Sequence, residues 1–332
     1  MPPTFPEISG PLPAHTGILR EETVALRQLL GYGRPTEASL RLSVPEIGTR
    51  LPGSSMKDVL FVGLDIDTFQ GYEVIIPDQQ MHVGISILDT RHLKDLLTSP
   101  TREEELSAAI DSYQFTVGTY RDYCRRAHNR FLFGQSKPVE STSELKPELE
   151  PLVEGRDTVL VCHSTVSDLK MLRNLDIDLR PLYSMDTNKV AQYPLQLHYR
   201  YSLEKLLDTL EIPYTSLHAA GNDARFCLQA LLMLAVKDAE KDQPGAADES
   251  LFRLLGGIAQ VPRPRTRKEI EDTLVVVGRA TKKEKQAANK AARKERRRLR
   301  LESRKDAKAA KLDAEEPDDP GVLGFPLLCL GD

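Results

Sequence analysis

The sequence predicts a mixed α/β fold in which three antiparallel strands are followed by parallel strands and helices flank the sheet. Strand signals at residues 59–64, 83–88 and 113–120 follow one another, which is typical of an antiparallel meander. From residue 158 onward, strands alternate with amphipathic helices, and this alternation indicates parallel pairing.

The composition is that of a globular protein, because 332 residues with 40% hydrophobic content can form a sizeable core. No apolar run approaches the ~18 to 20 residues that cross a membrane, and the N-terminus MPPTFPEISG lacks the basic start and apolar centre of a signal peptide. We therefore expect an intracellular protein, in the cytoplasm, the nucleus or both, with no membrane partner. The four cysteines include no CxxC pair, which fits reduced thiols and excludes a zinc ribbon.

Four segments are expected along the chain. They are a loosely packed, Pro-rich lead-in (1–55) with one helix near 21–30, the α/β domain (56–240), a linker (241–278), and a basic arm with a disordered acidic tail (279–332).

The charge is unevenly distributed. Residues 279–311 hold fifteen Lys/Arg and four Asp/Glu, a local balance of +11, so the net charge of −4 leaves about −15 on the remainder. This basic arm has three interpretations: contacts with the phosphates of an anionic partner, a solvated charged helix, or a nuclear import signal in RKERRRLR.

The stretch LFVGLDIDTFQ ends a buried strand in two aspartates, Asp65 and Asp67. Side chains alternate faces along a strand, so both carboxylates point to the same side. Such neighbours repel one another unless a metal ion or a shared proton compensates. The alternative is an ordinary Asp-rich turn after the strand.

Two further aspartates lie on the apolar stripes of predicted helices. Asp168 follows a strand in VLVCHSTVSDLKMLRNL, and Asp223 follows Asn222, the expected N-cap, in LHAAGNDARFCLQALLMLA. His218 precedes the second helix in a loop with the freedom to fold over the carboxylate. Both residues have a structural alternative. Asp168 is then an acid that the dipole stabilises near a helix N-terminus, and His218 is a loop histidine whose hydrogen bonds are satisfied.

Together these residues indicate a metal site, because a compact mixed sheet can bring all four carboxylates to one end. Oxygen-only ligation suits Mg²⁺ or Mn²⁺, and two such ions ~4 Å apart can activate water and stabilise the leaving oxygen in phosphodiester cleavage. An imidazole, which ordinarily titrates near ~6.5, is suited to accept the proton of the attacking water.

The order of these motifs resembles the DEDDh 3′-to-5′ exonucleases of the ribonuclease H-like superfamily over residues 56–240. More narrowly, VLVCHSTVSDLKML, YSMDTNKVA, YSLEKLLDTLEIPY and LHAAGNDARFCLQALL are similar to the fungal branch called good-for-full-activity protein two-like, known mainly as exonuclease-like proteins tied to messenger RNA metabolism. The resemblance implies His218 as general base and two Mg²⁺ or Mn²⁺ ions. It implies four metal ligands: Asp65, Asp67, Asp168 and Asp223. Asp186 in MDT is expected to give structural support.

One position departs from the family pattern, which has Asp-x-Glu where this chain has Asp65 and Asp67. The second carboxylate is therefore one methylene, ~1.5 Å, short, and misplacement on this scale can cost about two orders of magnitude in rate. The expected function is metal-dependent 3′-to-5′ hydrolysis of single-stranded nucleic acid, RNA ahead of DNA. The alternative is a catalytically weakened nucleic-acid-binding adaptor whose termini contact RNA–protein complexes.

Overall fold

The computed structural model of the protein describes residues 17–33, 42, 44–76, 79–99, 102–118, 122–242 and 249–313. The chain forms two compact units, Met1–Arg265 and Thr266–Asp332. The first unit contains the sheet and the second contains one long helix. None of the helices in the described ranges has the length and apolar character needed to cross a membrane.

The first unit is built on a six-stranded sheet with the order β4-β3-β2-β1-β5-β6. The strands are β1 (Leu60–Thr68), β2 (Met81–Asp89), β3 (Ile110–Val117), β4 (Lys137–Val139), β5 (Thr158–Cys162) and β6 (Pro181–Asp186). The first three strands pair antiparallel, and β5 and β6 continue parallel to β1. The predicted fold class is therefore confirmed. The short edge strand β4 escaped prediction because its three residues include a proline.

Helices surround this sheet and form the second unit. They are α1 (Glu21–Leu30), α2 (Thr90–Thr98), α3 (Glu103–Ser107), α4 (Asp122–Arg130), α5 (Leu145–Leu149), α6 (Val166–Asn174), α7 (Thr187–Val190), α8 (Leu203–Thr209), α9 (Ala220–Asp242), α10 (Glu249–Ala259) and α11 (Arg267–Asp313). Two short 3₁₀ turns, Thr142–Glu144 and Glu150–Val153, flank α5.

The two faces of the sheet carry separate apolar cores. On one face, α1, α9 and α10 contribute to the core that contains Phe61. On the other face, α5 and α6 contribute to the core that contains Leu64 and Ile66. Because side chains alternate along β1, Asp65 and Asp67 share the face of Phe61 and point towards the layer of α9.

Helix α9 lies directly on the sheet because two strand glycines leave room for its backbone. A Cβ atom on Gly84 would lie 2.0 Å from the carbonyl of Ala220, and one on Gly63 would lie 2.4 Å from the carbonyl oxygen of Ala224. No side chain fits in these gaps. The close approach sets the first turns of α9 against the strand that carries Asp65.

Two expectations for the flanking segments need correction. The lead-in is not loosely packed at α1, because this helix is buried against the core and Arg27 pairs with the buried Asp238 at 2.7 Å. The expected linker contains α10, and Gln229 of α9 donates to the carbonyl of Ala259 at 3.2 Å. Helix α10 has a buried face, which consists of Leu251 and further apolar residues at helical spacing.

The basic arm falls within α11, whose described side chains in the arm are exposed. Helix α11 begins at Arg267, twelve residues before the expected start of the arm at 279. The acidic EEPDDP stretch, expected to be disordered, lies outside the described residues.

We expect Gly84→Ala to destabilise the first unit by about 1–3 kcal/mol or more, since 1–3 kcal/mol is the usual cost of overpacking. The added methyl group would collide with the backbone of Ala220. The measurement is the free energy of unfolding in urea. Gly256→Ala is the matched control, because its Cβ would meet only Val236 Cγ2 at 3.9 Å and alanine favours the helix. Equal stability of Gly84→Ala and wild type would contradict the close helix–sheet contact.

Candidate active site

Strand β1 supplies the first pair of predicted site residues. In the antiparallel register with β2, Asp65 lies opposite Gly84 and Asp67 lies opposite His82. Both aspartates are partly buried. The predicted placement of the two carboxylates on one side of the sheet therefore agrees with the register.

Asp168 joins this pair from the other layer of the fold. It is buried in the first turn of α6, and its Oδ1 accepts a hydrogen bond of 3.0 Å from the backbone N–H of Ile66. Ile66 is the residue between the two aspartates of β1. The hydrogen bond places the carboxylate of Asp168 beside the end of β1.

Asp223 and His218 are held together at the start of α9. Asp223 Oδ2 accepts a hydrogen bond of 2.9 Å from the backbone N–H of His218, which has a left-handed conformation with φ of 63°. The other oxygen, Oδ1, is buried without a hydrogen-bond partner. Asp223 thus fixes the backbone of the predicted base and keeps one carboxylate oxygen available.

The sequence indicates Asn222 as the N-cap of α9, but this helix already begins at Ala220. The Asn222 side chain instead donates to the carbonyls of Arg130 and Ser216 at 2.9 and 2.8 Å and accepts from the N–H of Leu132 at 2.9 Å. These bonds join the end of α4 to the loop before α9 and hold that loop at the site.

The electrostatics of the cluster follow from burial and mutual repulsion. Burial raises the pKa of Asp65 well above its ordinary value, and the negative charges of the other three carboxylates add to the rise. Burial raises the pKa of Asp168 to about 7, although the N–H of Ile66 opposes the change. Burial also raises the pKa of Asp223 to about 7, against the effect of its bond from His218. The cluster is therefore costly as four anions and favours a compensating cation.

The donor set fits a hard divalent cation, because it consists of carboxylate oxygens and includes the unsatisfied Oδ1 of Asp223. In the part of the chain that the structure describes, no three His, Cys, Asp or Glu side chains are arranged to hold an ion as they stand. The bonds from Ile66 to Asp168 and from His218 to Asp223 engage two of the carboxylates.

The sequence patterns do not indicate three residues that lie near the carboxylates. His82 Nε2 lies 3.6 Å from Asp67 Oδ2, and its Nδ1 accepts from the N–H of Ala220 at 3.3 Å. Burial lowers the pKa of His82 to about 4, so the ring is neutral at physiological pH. Tyr123 stacks on His82 with ring centroids 5.1 Å apart, and Tyr72 donates to the carbonyl of Ile66 at 2.9 Å.

Asp186 stands at the end of β6 and acts as a structural residue. Its Oδ1 accepts from the N–H of Asn188 at 3.0 Å, which caps α7, and from the N–H of Ser164 at 3.1 Å. These bonds organise the loops at the carboxyl ends of β5 and β6. The supporting role expected for Asp186 agrees with these contacts.

Comparisons with known proteins identify a family. No curated protein matches the chain. Among solved structures, the zinc-ion-bound form of the E. coli ExoI–ssDNA complex shares 13% sequence identity at a TM-score of 0.35, over 59% of this chain and 42% of that chain. The alignment thus spans less than half of that chain. Residues 60–234, just over half of this chain, match the DEDDh family described as DNA polymerase III subunit epsilon-like, C-terminal domain. By this match, the chain belongs to the DEDDh family of DNA polymerase III subunit epsilon-like domains.

Proposed function

We propose that the protein is a metal-dependent 3′-to-5′ exonuclease that acts on single-stranded nucleic acid, RNA ahead of DNA. One observation carries the proposal: carboxylates from β1, α6 and α9 lie close enough to repel one another at one end of the sheet, beside a loop histidine. The backbone bonds from Ile66 to Asp168 and from His218 to Asp223 support this assembly. Family membership supports nuclease chemistry, and the resemblance to the fungal branch supports RNA as substrate.

Four carboxylates would hold the two Mg²⁺ or Mn²⁺ ions: Asp65, Asp67, Asp168 and Asp223. When bound, such ions lower the pKa of water and stabilise the charge on the attacking and leaving oxygens. The protein supplies the remaining functions. His218 accepts the proton of the attacking water, and Asp223 holds the histidine backbone in its left-handed conformation. Hydrolysis at the terminal phosphodiester releases a nucleoside monophosphate.

The basic part of α11 is assigned a supporting role in this proposal. Its exposed lysines and arginines add sequence-independent contacts to phosphates, and such contacts make binding depend on salt concentration. The acidic balance of the remainder favours recruitment of the substrate by this segment rather than by the whole surface.

Asp67 is the observation that supports the second candidate, a catalytically weakened adaptor that retains the fold and binds nucleic acid. Oδ2 of Asp67 lies 3.6 Å from His82 Nε2, and 35% of the Asp67 side chain remains exposed. Proximity to His82 favours a site adapted to aspartate, since the buried imidazole limits the space for a longer side chain beside the carboxylate. We therefore rank the exonuclease first.

Asp223→Asn is expected to abolish metal-dependent degradation and to leave the fold intact. The substitution removes a negative charge but almost no volume, and the amide oxygen still accepts from the N–H of His218. The assay follows end-labelled single-stranded RNA and DNA with Mn²⁺, Mg²⁺ or chelator, and circular dichroism checks the fold. Unchanged cleavage by a folded variant would remove Asp223 from the site and would contradict the proposed function.

Asp67→Glu is expected to lower the rate of degradation by about ten- to a hundredfold, the scale of a misplacement near 1 Å. The longer side chain would crowd a site whose backbone suits aspartate. Asp67→Ala is the companion variant, and timed degradation with Mn²⁺ is the measurement. A faster Asp67→Glu enzyme would instead identify a weakened descendant of Asp-x-Glu enzymes. Equal rates for all three proteins would show that Asp67 is not a ligand.

A further inference from the structure

A cluster of aromatic and basic side chains lies on the surface before and within α8. Lys205 Nζ lies over the rings of Tyr199 and Tyr201, 5.0 and 4.2 Å from their centroids. The two rings are 5.2 Å apart, and Lys205 also donates to the Tyr199 hydroxyl at 3.0 Å. Tyr199 is 57% exposed. We call these three residues the tyrosine–lysine platform.

The platform is anchored to the end of the sheet that carries the candidate active site. The carbonyl of Tyr201 accepts from His163 Nε2 at 3.0 Å, and His163 directly follows β5. Strand β5 is parallel to β1, so the carboxyl ends of both strands face the same way. The fixed backbone of Tyr201 therefore places the platform on the same edge as Asp65.

A cavity of ≈ 720 Å³ connects the neighbourhood of the platform with the proposed base. Residues 202–204, which separate Tyr201 from Lys205, line this cavity. Arg130, His218 and Asp223 also line it. A chain that enters past the platform thus reaches the proposed catalytic residues through a space lined by one basic side chain, Arg130, and by the acidic Glu204 next to Lys205.

We propose that the tyrosine–lysine platform binds the unpaired nucleotides that precede the 3′ end of a single strand, with a base stacked on Tyr199 and a phosphate near Lys205. The inference rests on the proposed function, which places a 3′ end at His218. Exposed aromatic rings beside cations are the usual means of holding single strands without sequence preference.

Charge and geometry favour this ligand. The first unit holds more Asp/Glu than Lys/Arg, yet Lys205 and the exposed Arg200 lie beside the exposed Tyr199 here. Stacking on a tyrosine face requires a base that has left its neighbours, and bases within a duplex are not available for such contact. The platform therefore selects single-stranded over double-stranded substrate.

The test measures the affinity of the full-length protein for a labelled single strand of about 12 nucleotides, within the usual site size of single-strand binders. Fluorescence anisotropy is recorded in chelator, which prevents hydrolysis. We expect Tyr199→Ala to weaken binding by about 5- to 160-fold, the range that loss of one stacked base produces. Tyr199→Phe should bind like wild type, because the ring is retained.

Two controls separate stacking from other effects. Tyr113→Ala removes another exposed tyrosine, which lies on β3. The next residue, Gln114, accepts a hydrogen bond from the N–H of Gly221 and therefore faces α9. Tyr113 thus points to the opposite face of the sheet, and its loss should not change affinity. A strand with abasic sites should bind wild type and Tyr199→Ala equally, because it offers no base to stack.

Several outcomes would overturn the platform: absence of single-strand binding by wild type, equal affinities of wild type and Tyr199→Ala, an equal loss on the abasic strand, or an equal loss in Tyr199→Phe. An equal loss on the abasic strand would point to a partner other than stacked bases. Failure of the platform proposal is distinguishable from failure of the proposed function. A wild-type protein that binds through Tyr199 yet hydrolyses nothing with Mn²⁺ would contradict the nuclease and retain the platform.

Discussion

Repulsion among four carboxylates at one end of the sheet is the constraint on which the site depends. Asp65 and Asp67 cannot separate, because β1 lies in the middle of the sheet with β2 and β5 on either side. Asp168 is tied to the backbone between them, and Asp223 is fixed by the first turn of α9. The fold therefore concentrates negative charge where burial already disfavours it, and a bound divalent cation would offset this cost.

The contact between α9 and the sheet connects this constraint to the rest of the molecule. Gly63 and Gly84 allow the helix backbone to approach, and the same approach lets His82 accept from the N–H of Ala220. His82 in turn faces Asp67 across the paired strands. One backbone contact thus sets the spacing between the carboxylates of β1, the buried histidine of β2 and the loop that carries His218.

The face on which each carboxylate lies was predictable from sequence, because side-chain direction repeats locally. The repeat is every second residue along β1 for Asp65 and the helical spacing for Asp168 and Asp223. His82 was not predictable, because its position opposite Asp67 depends on the register after the long turn between β1 and β2. Asn222 was misassigned because its partners, such as Leu132, are distant in sequence. Helix α10 was missed where a linker was expected, although its apolar residues recur at helical spacing.

Direct measurement of Mn²⁺ binding tests the central claim, that the clustered carboxylates hold divalent cations. The paramagnetic resonance of free Mn²⁺ reports the ions that remain unbound in a titration of the full-length protein. We expect two saturable ions per chain, the number of a two-metal site. Asp65→Asn should lose saturable binding, whereas His218→Ala should retain it, because the base is not a ligand. Absence of saturable binding by wild type, or unchanged binding by Asp65→Asn, would contradict the account.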